Sequence, residues 1–152
     1  MAYAYARAGQ IVTADLLNDI GIVGQTVFMA TRDATQAITA NATPQVANAT
    51  SWDAVNLDDL GGWSTGSPTR YTIQQAAWYQ LSGGCGFSSE ATGTVRGAAW
   101  FLNGALMDAG HARPHANVPA AVTLTAEART IAVPLDVGDY LELVPYHNAS
   151  NP

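Results

Sequence analysis

The chain contains no lysine, one cysteine and very little charge. All six cationic side chains are arginines, and charged residues make up 12% of 152 residues. An ordinary soluble domain carries about 25%. The formal net charge is −6, which excludes the basic face a nucleic-acid binder needs to neutralise phosphates. It likewise excludes an anionic membrane surface as partner. No apolar run approaches the roughly 18 residues of a membrane-spanning helix. The opening residues MAYAYARAGQ carry no basic stretch leading into an apolar one, so no signal peptide is read there. A single cysteine, Cys85, rules out an internal disulfide framework and a thiolate metal cluster. Disorder is excluded by the opposite balance: apolar residues reach 48%, too many for a chain that stays unfolded. A surface with so few charges is one expected to be covered by neighbours, in an oligomer or larger assembly.

What is present reads as short strands. The first legible element is a helix of about two turns from Thr13 to Gly21. Thr13 is its N-cap, Asp15 sits at its positive end, and Gly21 suits a left-handed stop. Leu16, Leu17 and Ile20 form its apolar stripe. So short a helix needs a partner, so the stripe is expected to anchor on the main domain or on another subunit. Residues 31–50 are polar and loop-like, with short strands compatible at 37–39 and 45–46. From Trp52 onward the chain reads as β. Val55 and Leu57 alternate with polar neighbours, as do Tyr71 and Ile73. Strands are expected at 78–82, 95–102, 105–107, 122–125, 130–135 and 140–146. Asn103-Gly104 is a strong hairpin signal, and Val137-Gly138-Asp139 a turn into the last strand. Roughly eight strands punctuated by Gly, Pro and Asn-Gly predict an all-β, antiparallel sandwich or barrel behind one short N-terminal helix.

Few residues point to catalysis. His111 and His115 flank Pro114, which disfavours the helix that would align them on a metal, and no third ligand lies nearby. Cys85, within Gly-Gly-Cys-Gly, has no cation or histidine beside it in sequence, so it reads as a small buried hydrophobe. Asp53, Asp58, Asp59 and Asp139 offer oxygen ligands, but no calcium loop is formed. No Gly-x-Ser-x-Gly elbow exists. The tryptophans and tyrosines are the more informative residues. Those that face outward from strands make a carbohydrate platform or a subunit interface.

Three stretches carry a resemblance. Arg70 to Ser82 (RYTIQQAAWYQLS) resembles a strand pair of the complement-q-like and tumour-necrosis-factor-like jelly rolls. Val95-Arg96 through Phe101-Leu-Asn-Gly104 resembles that family's "Arg … apolar-x-Asn-Gly" hairpin. Val133 to Leu143, with Gly138-Asp139, resembles its closing strands. The resemblance covers about residues 35–148; Gln75 and Ala77 stand where the family has Pro and Gly. Ala8 to Asn18 (AGQIVTADLLN) is similar to the lead of tail and fibre proteins from phages of high-GC bacteria. Together these imply an antiparallel jelly-roll sandwich at 35–152 behind an N-terminal anchoring segment at 1–34. They imply a homotrimer at the surface of a bacteriophage virion, decorating or cementing the head or tail, with major capsid or tail proteins as partners. No enzymatic activity, cofactor or metal is expected. Interface candidates are Leu16, Leu17, Ile20, Tyr79, Trp100 and Tyr140. The alternative is a minor tail or fibre-tip protein that binds host glycan, with Trp52 and Trp63 as the carbohydrate candidates. A glycan-degrading enzyme would need two carboxylates at a cleft, for which the sequence offers no flanked pair.

Overall fold

The computed structural model describes residues 25–90, 92–112 and 124–150. The helix expected at 13–21, with Leu16, Leu17 and Ile20, lies outside them. Within them the protein is all-β with antiparallel pairing throughout.

Ten strands follow one another: β1 (Phe28–Thr31), β2 (Ala54–Asp58), β3 (Tyr71–Thr72), β4 (Ala77–Leu81), β5 (Gly84–Phe87), β6 (Arg96–Leu102), β7 (Ala105–His111), β8 (Leu124–Glu127), β9 (Ile131–Leu135) and β10 (Tyr140–His147). From β3 onward the pairing is nested: β3 with β10, β4 with β9, β5 with β8, β6 with β7. The outermost and innermost pairs fuse through a seven-residue β10–β6 ladder, giving the sheet order β3-β10-β6-β7. β1 pairs with β2 alone. β1 lies before residue 34, and the Asp53 carboxylate accepts the N–H groups of Asp33 and Ala34 at 2.8 and 3.1 Å. Residues 28–34 are thus bonded to β2 and the turn before it.

β6 and β10 are central because both faces are apolar. On one face Ala98, Trp100, Leu141 and Leu143 join Trp52, Tyr71, Ile73, Leu81 and Leu135 in the main core. On the other, Ala99, Phe101 and Val144 pack with Ala49. A proline within such a strand needs explaining. Leu143 and His147 direct their carbonyls away from β6, to the N–H groups of Thr50 and Asn41. Pro145 shares that direction, so its missing N–H faces the covering segment and the β6 ladder loses nothing.

The covering segment is the polar stretch 31–50. It forms no strand at 37–39 or 45–46, only a single 3₁₀ turn at Val46–Asn48. Its main chain is tied to β10 instead, and Asn48 donates to the Thr39 carbonyl and accepts its N–H, both at 2.9 Å.

The hairpin between β6 and β7 turns at Asn103 and Gly104, with φ of +52° and +77°. Both residues need the left-handed region for a two-residue turn, which Asn and Gly tolerate best. β7 runs on to His111, four residues past the strand read from sequence.

Candidate functional site

A cleft of about 1400 Å³ opens between β1 with its following loop and the strands β4 and β5. Its presence follows from the strand pairing. Among the described residues β4 is paired only with β9 and β5 only with β8, so each has an edge along one wall that no described strand pairs. Ile73, Trp100, Leu141 and Leu143 contribute to its lining. Met29 and Trp78, both lining residues, are 51% and 56% exposed. Gln80 and Ser82 add polar groups on the β4 side.

Trp78 is the functional candidate that the sequence reading did not single out. Tyr79 and Leu81 turn inward to the core, so alternation along β4 leaves Trp78 and Gln80 outward. Pro134 stands directly across from Trp78 on β9. The signal was available: Leu81 as an inward anchor fixes the parity of the strand.

The residues chosen from sequence are distributed differently. Trp52 is only 7% exposed and meets Phe28 edge-on at 5.3 Å. It is a core residue, which corrects its reading as a glycan platform. Trp63 is half-buried, and its indole N–H donates to the Pro68 carbonyl at 3.2 Å. Trp100 is 7% exposed at the centre of the core, which corrects its reading as an interface residue. Tyr79 is half-buried, with its hydroxyl donating to the Gln75 carbonyl at 2.6 Å; burial raises its pKa. Tyr140 is half-buried beneath the Arg70 guanidinium, 4.2 Å from the ring centroid. Of the interface candidates described, Tyr140 alone carries a charged group over its ring.

The ionisable groups are engaged in holding loops and strands. Asp58 accepts the N–H groups of Gly62 and Trp63 at 2.9 and 3.1 Å. Asp139 accepts from the Asn103 amide at 2.8 Å and the Asp136 N–H at 2.9 Å, and these bonds hold its carboxyl below the usual range. The Asp53 carboxyl is held low by the Asp33 and Ala34 N–H groups. Buried Glu142 takes the Arg70 Nε and the Thr69 hydroxyl, each at 3.1 Å. His111 Nε2 lies 2.9 Å from the Tyr146 hydroxyl; His115, its partner in the metal reading, is outside the described residues. Among the described residues no group of three His, Cys, Asp or Glu is placed to hold a metal. Burial pushes the Cys85 thiol up to about 11, with Thr50 Oγ1 at 3.8 Å as its polar neighbour. Cys85 is therefore a protonated thiol at neutral pH and a poor nucleophile.

His147 is 3% exposed. Its Nδ1 accepts the Ala149 N–H at 3.1 Å and its Nε2 lies 3.4 Å from the Ile38 carbonyl. Burial lowers its pKa, and the Arg96 guanidinium acts in the same direction. The folded state thus prefers neutral imidazole and the unfolded state takes up the proton more readily. This stabilisation is complete above the unfolded value of about 6.5 and is lost as pH falls from there through the lower folded value. His147→Gln is expected to flatten the slope of urea-unfolding stability between neutral and mildly acid pH. An unchanged slope would assign that pH dependence to other groups.

No protein-family model matches the chain, and no curated protein matches it.

Proposed function

We propose that this protein is a non-enzymatic structural subunit of a bacteriophage virion, a homotrimeric jelly roll that decorates or cements the head or tail surface. The observation that carries the assembly reading is the exposed Met29 and Trp78 along one cleft, beside an edge of β4 that no strand among the described residues pairs. An open strand edge beside exposed large apolar side chains is a surface that asks for cover. A chain with 12% charged residues has little else to keep such a surface solvated. The nested pairing of β3 to β10 supports the jelly-roll reading. The one junction between pairs among the described residues, β10 with β6, is not the alternating one of that fold: it puts the first and fourth pairs in one sheet, and the second and third pairs stand apart. The phage assignment rests on the N-terminal lead Ala8 to Asn18 and on the three family-like stretches.

The test has two parts. Sedimentation should give three times the 15.9 kDa chain mass; a monomer mass rejects the trimer. Purified capsids should bind the protein stoichiometrically and gain thermal stability. Binding confined to tail tips overturns the head role, and turnover of any glycan overturns the non-enzymatic one.

Trp78 favours a second reading, a tail-tip protein that binds host cell-surface glycan. An exposed indole opposite a proline is a flat apolar surface on which a sugar ring can stack. On this reading Trp78→Ala weakens binding to host cell-wall glycan about tenfold, the loss of one stacking contact. Equal binding by the variant rejects it.

A further inference from the structure

Two turn motifs that are 36 residues apart in sequence meet at one end of the four-stranded sheet. The Asn103 side-chain amide donates to Asp139 Oδ1 at 2.8 Å, and its carbonyl accepts the Tyr140 N–H at 2.9 Å. The Asn103 main-chain N–H donates to the Tyr140 carbonyl at 2.9 Å. Asn103 is exposed to solvent and is followed by Gly104, which has no Cβ to shield its main-chain nitrogen.

We propose that Asn103 is a modification site: it deamidates slowly through cyclisation with Gly104, and Asp139 sets the rate by holding the side-chain amide. The Gly104 nitrogen gives up its proton to solvent base and attacks Cγ of Asn103. A C–N bond forms, Nδ2 leaves as ammonia, and a five-membered succinimide results. Water adds to one of the two ring carbonyls and breaks one ring C–N bond, leaving aspartate or isoaspartate. The net change is amide plus water to carboxylate plus ammonium, with no oxidant or reductant.

Cγ cannot swing over the Gly104 nitrogen while both side-chain bonds stand. The reaction therefore waits for local opening at this corner. The product reinforces itself. A carboxylate at 103 has no donor for Asp139 and faces its negative charge at close range. Isoaspartate adds a backbone carbon to a turn already held at positive φ. Either product removes the side-chain bond between Asn103 and Asp139 that links the two turns, while the β6–β10 ladder stays in place, so the site works as an irreversible timer on this corner of the protein.

The experiment incubates the folded full chain at mildly alkaline pH and maps peptides by mass over time. Asn103 should convert before any other asparagine. Asp139→Ala should accelerate the conversion about tenfold, the effect of losing one charge-assisted bond on the open fraction. Asn103→Asp should lower Tm, and adding Asp139→Asn should recover much of the loss by returning a donor opposite the new carboxylate. Conversion elsewhere first, or an Asp139→Ala rate equal to the unsubstituted one, overturns the proposal. If Asp139→Ala does not fold, Asp139→Asn alone is the comparison. It should react faster than the parent, and an equal rate overturns the proposal in the same way.

Discussion

Alanine at Gly97 should cost the domain about 3 kcal/mol, the upper range for forcing extra atoms into a packed site. For a chain of this size that is a fall in Tm of roughly 6–12 °C. Gly97 lies opposite Tyr146 in the β6–β10 ladder. A Cβ there would sit on the Tyr146 ring, against Cζ and the hydroxyl oxygen. The ring cannot yield cheaply. Tyr146 is 1% exposed, and its hydroxyl donates to the Ala112 carbonyl at 2.6 Å. Alanine must therefore shift the ring and that bond, or spread two central strands. A double-mutant cycle separates this from an intrinsic cost of losing glycine. With Tyr146→Ala present the ring is gone, and Gly97→Ala should then be nearly neutral, a coupling of about 3 kcal/mol. Additive losses by urea unfolding would sink the explanation.

Replacing Arg96 with methionine should destabilise by about 3 kcal/mol or more, because carbonyls that lose a buried donor carry the full desolvation cost. Arg96 is 2% exposed. Its guanidinium donates to the carbonyls of Val95 at 2.8 Å and Thr92 at 2.9 Å, with that of Glu90 at 3.4 Å. One planar fork thus gathers the approach to β6 around itself. Lysine, with a single ammonium, cannot span these acceptors, and Arg96→Lys should lose most of the same stability. The loss should be felt locally as well. Limited proteolysis should cut the variant between β5 and β6 before the parent is cut there. A variant with unchanged unfolding midpoint and cleavage pattern would show the guanidinium to be dispensable.

The turns were readable in sequence, and the contacts between them were not. Asn103-Gly104 and Gly138-Asp139 announce themselves because their chemistry is local: residues that accept positive φ, flanked by alternating strands. That Asn103 and Asp139 bond to each other depends on a register no short window holds. The stretch 31–50 shows why polar segments mislead. Its ties to the sheet, from Asn41 and Thr50, run to β10 about a hundred residues away, so local β-compatibility at 37–39 and 45–46 was never the deciding term. Aromatic faces divide in the same way. Leu81 fixes Trp78 outward within three residues, whereas Trp52 is buried by Phe28 and the main core, contacts that its own neighbours do not foreshadow. That Arg96 is buried shows only once the carbonyls around it are seen. Cys85 was legible as a small buried hydrophobe because nothing nearby in sequence could ionise it.

The position of β10 sets a schedule for the molecule's birth. It is the last strand in the chain, yet β3, β6 and the segment 41–50 all bond to it. While the ribosome is still making residues 1–139, the future centre of the four-stranded sheet has no middle strand, and the apolar faces of β6 stand open. Closure joins partners separated by tens of residues or more, the kind of pairing that folds in milliseconds to seconds rather than microseconds. The four-stranded sheet therefore closes only after Tyr140–His147 has been made. A ribosome stalled before Tyr140 would expose a sticky strand rather than a closed sheet.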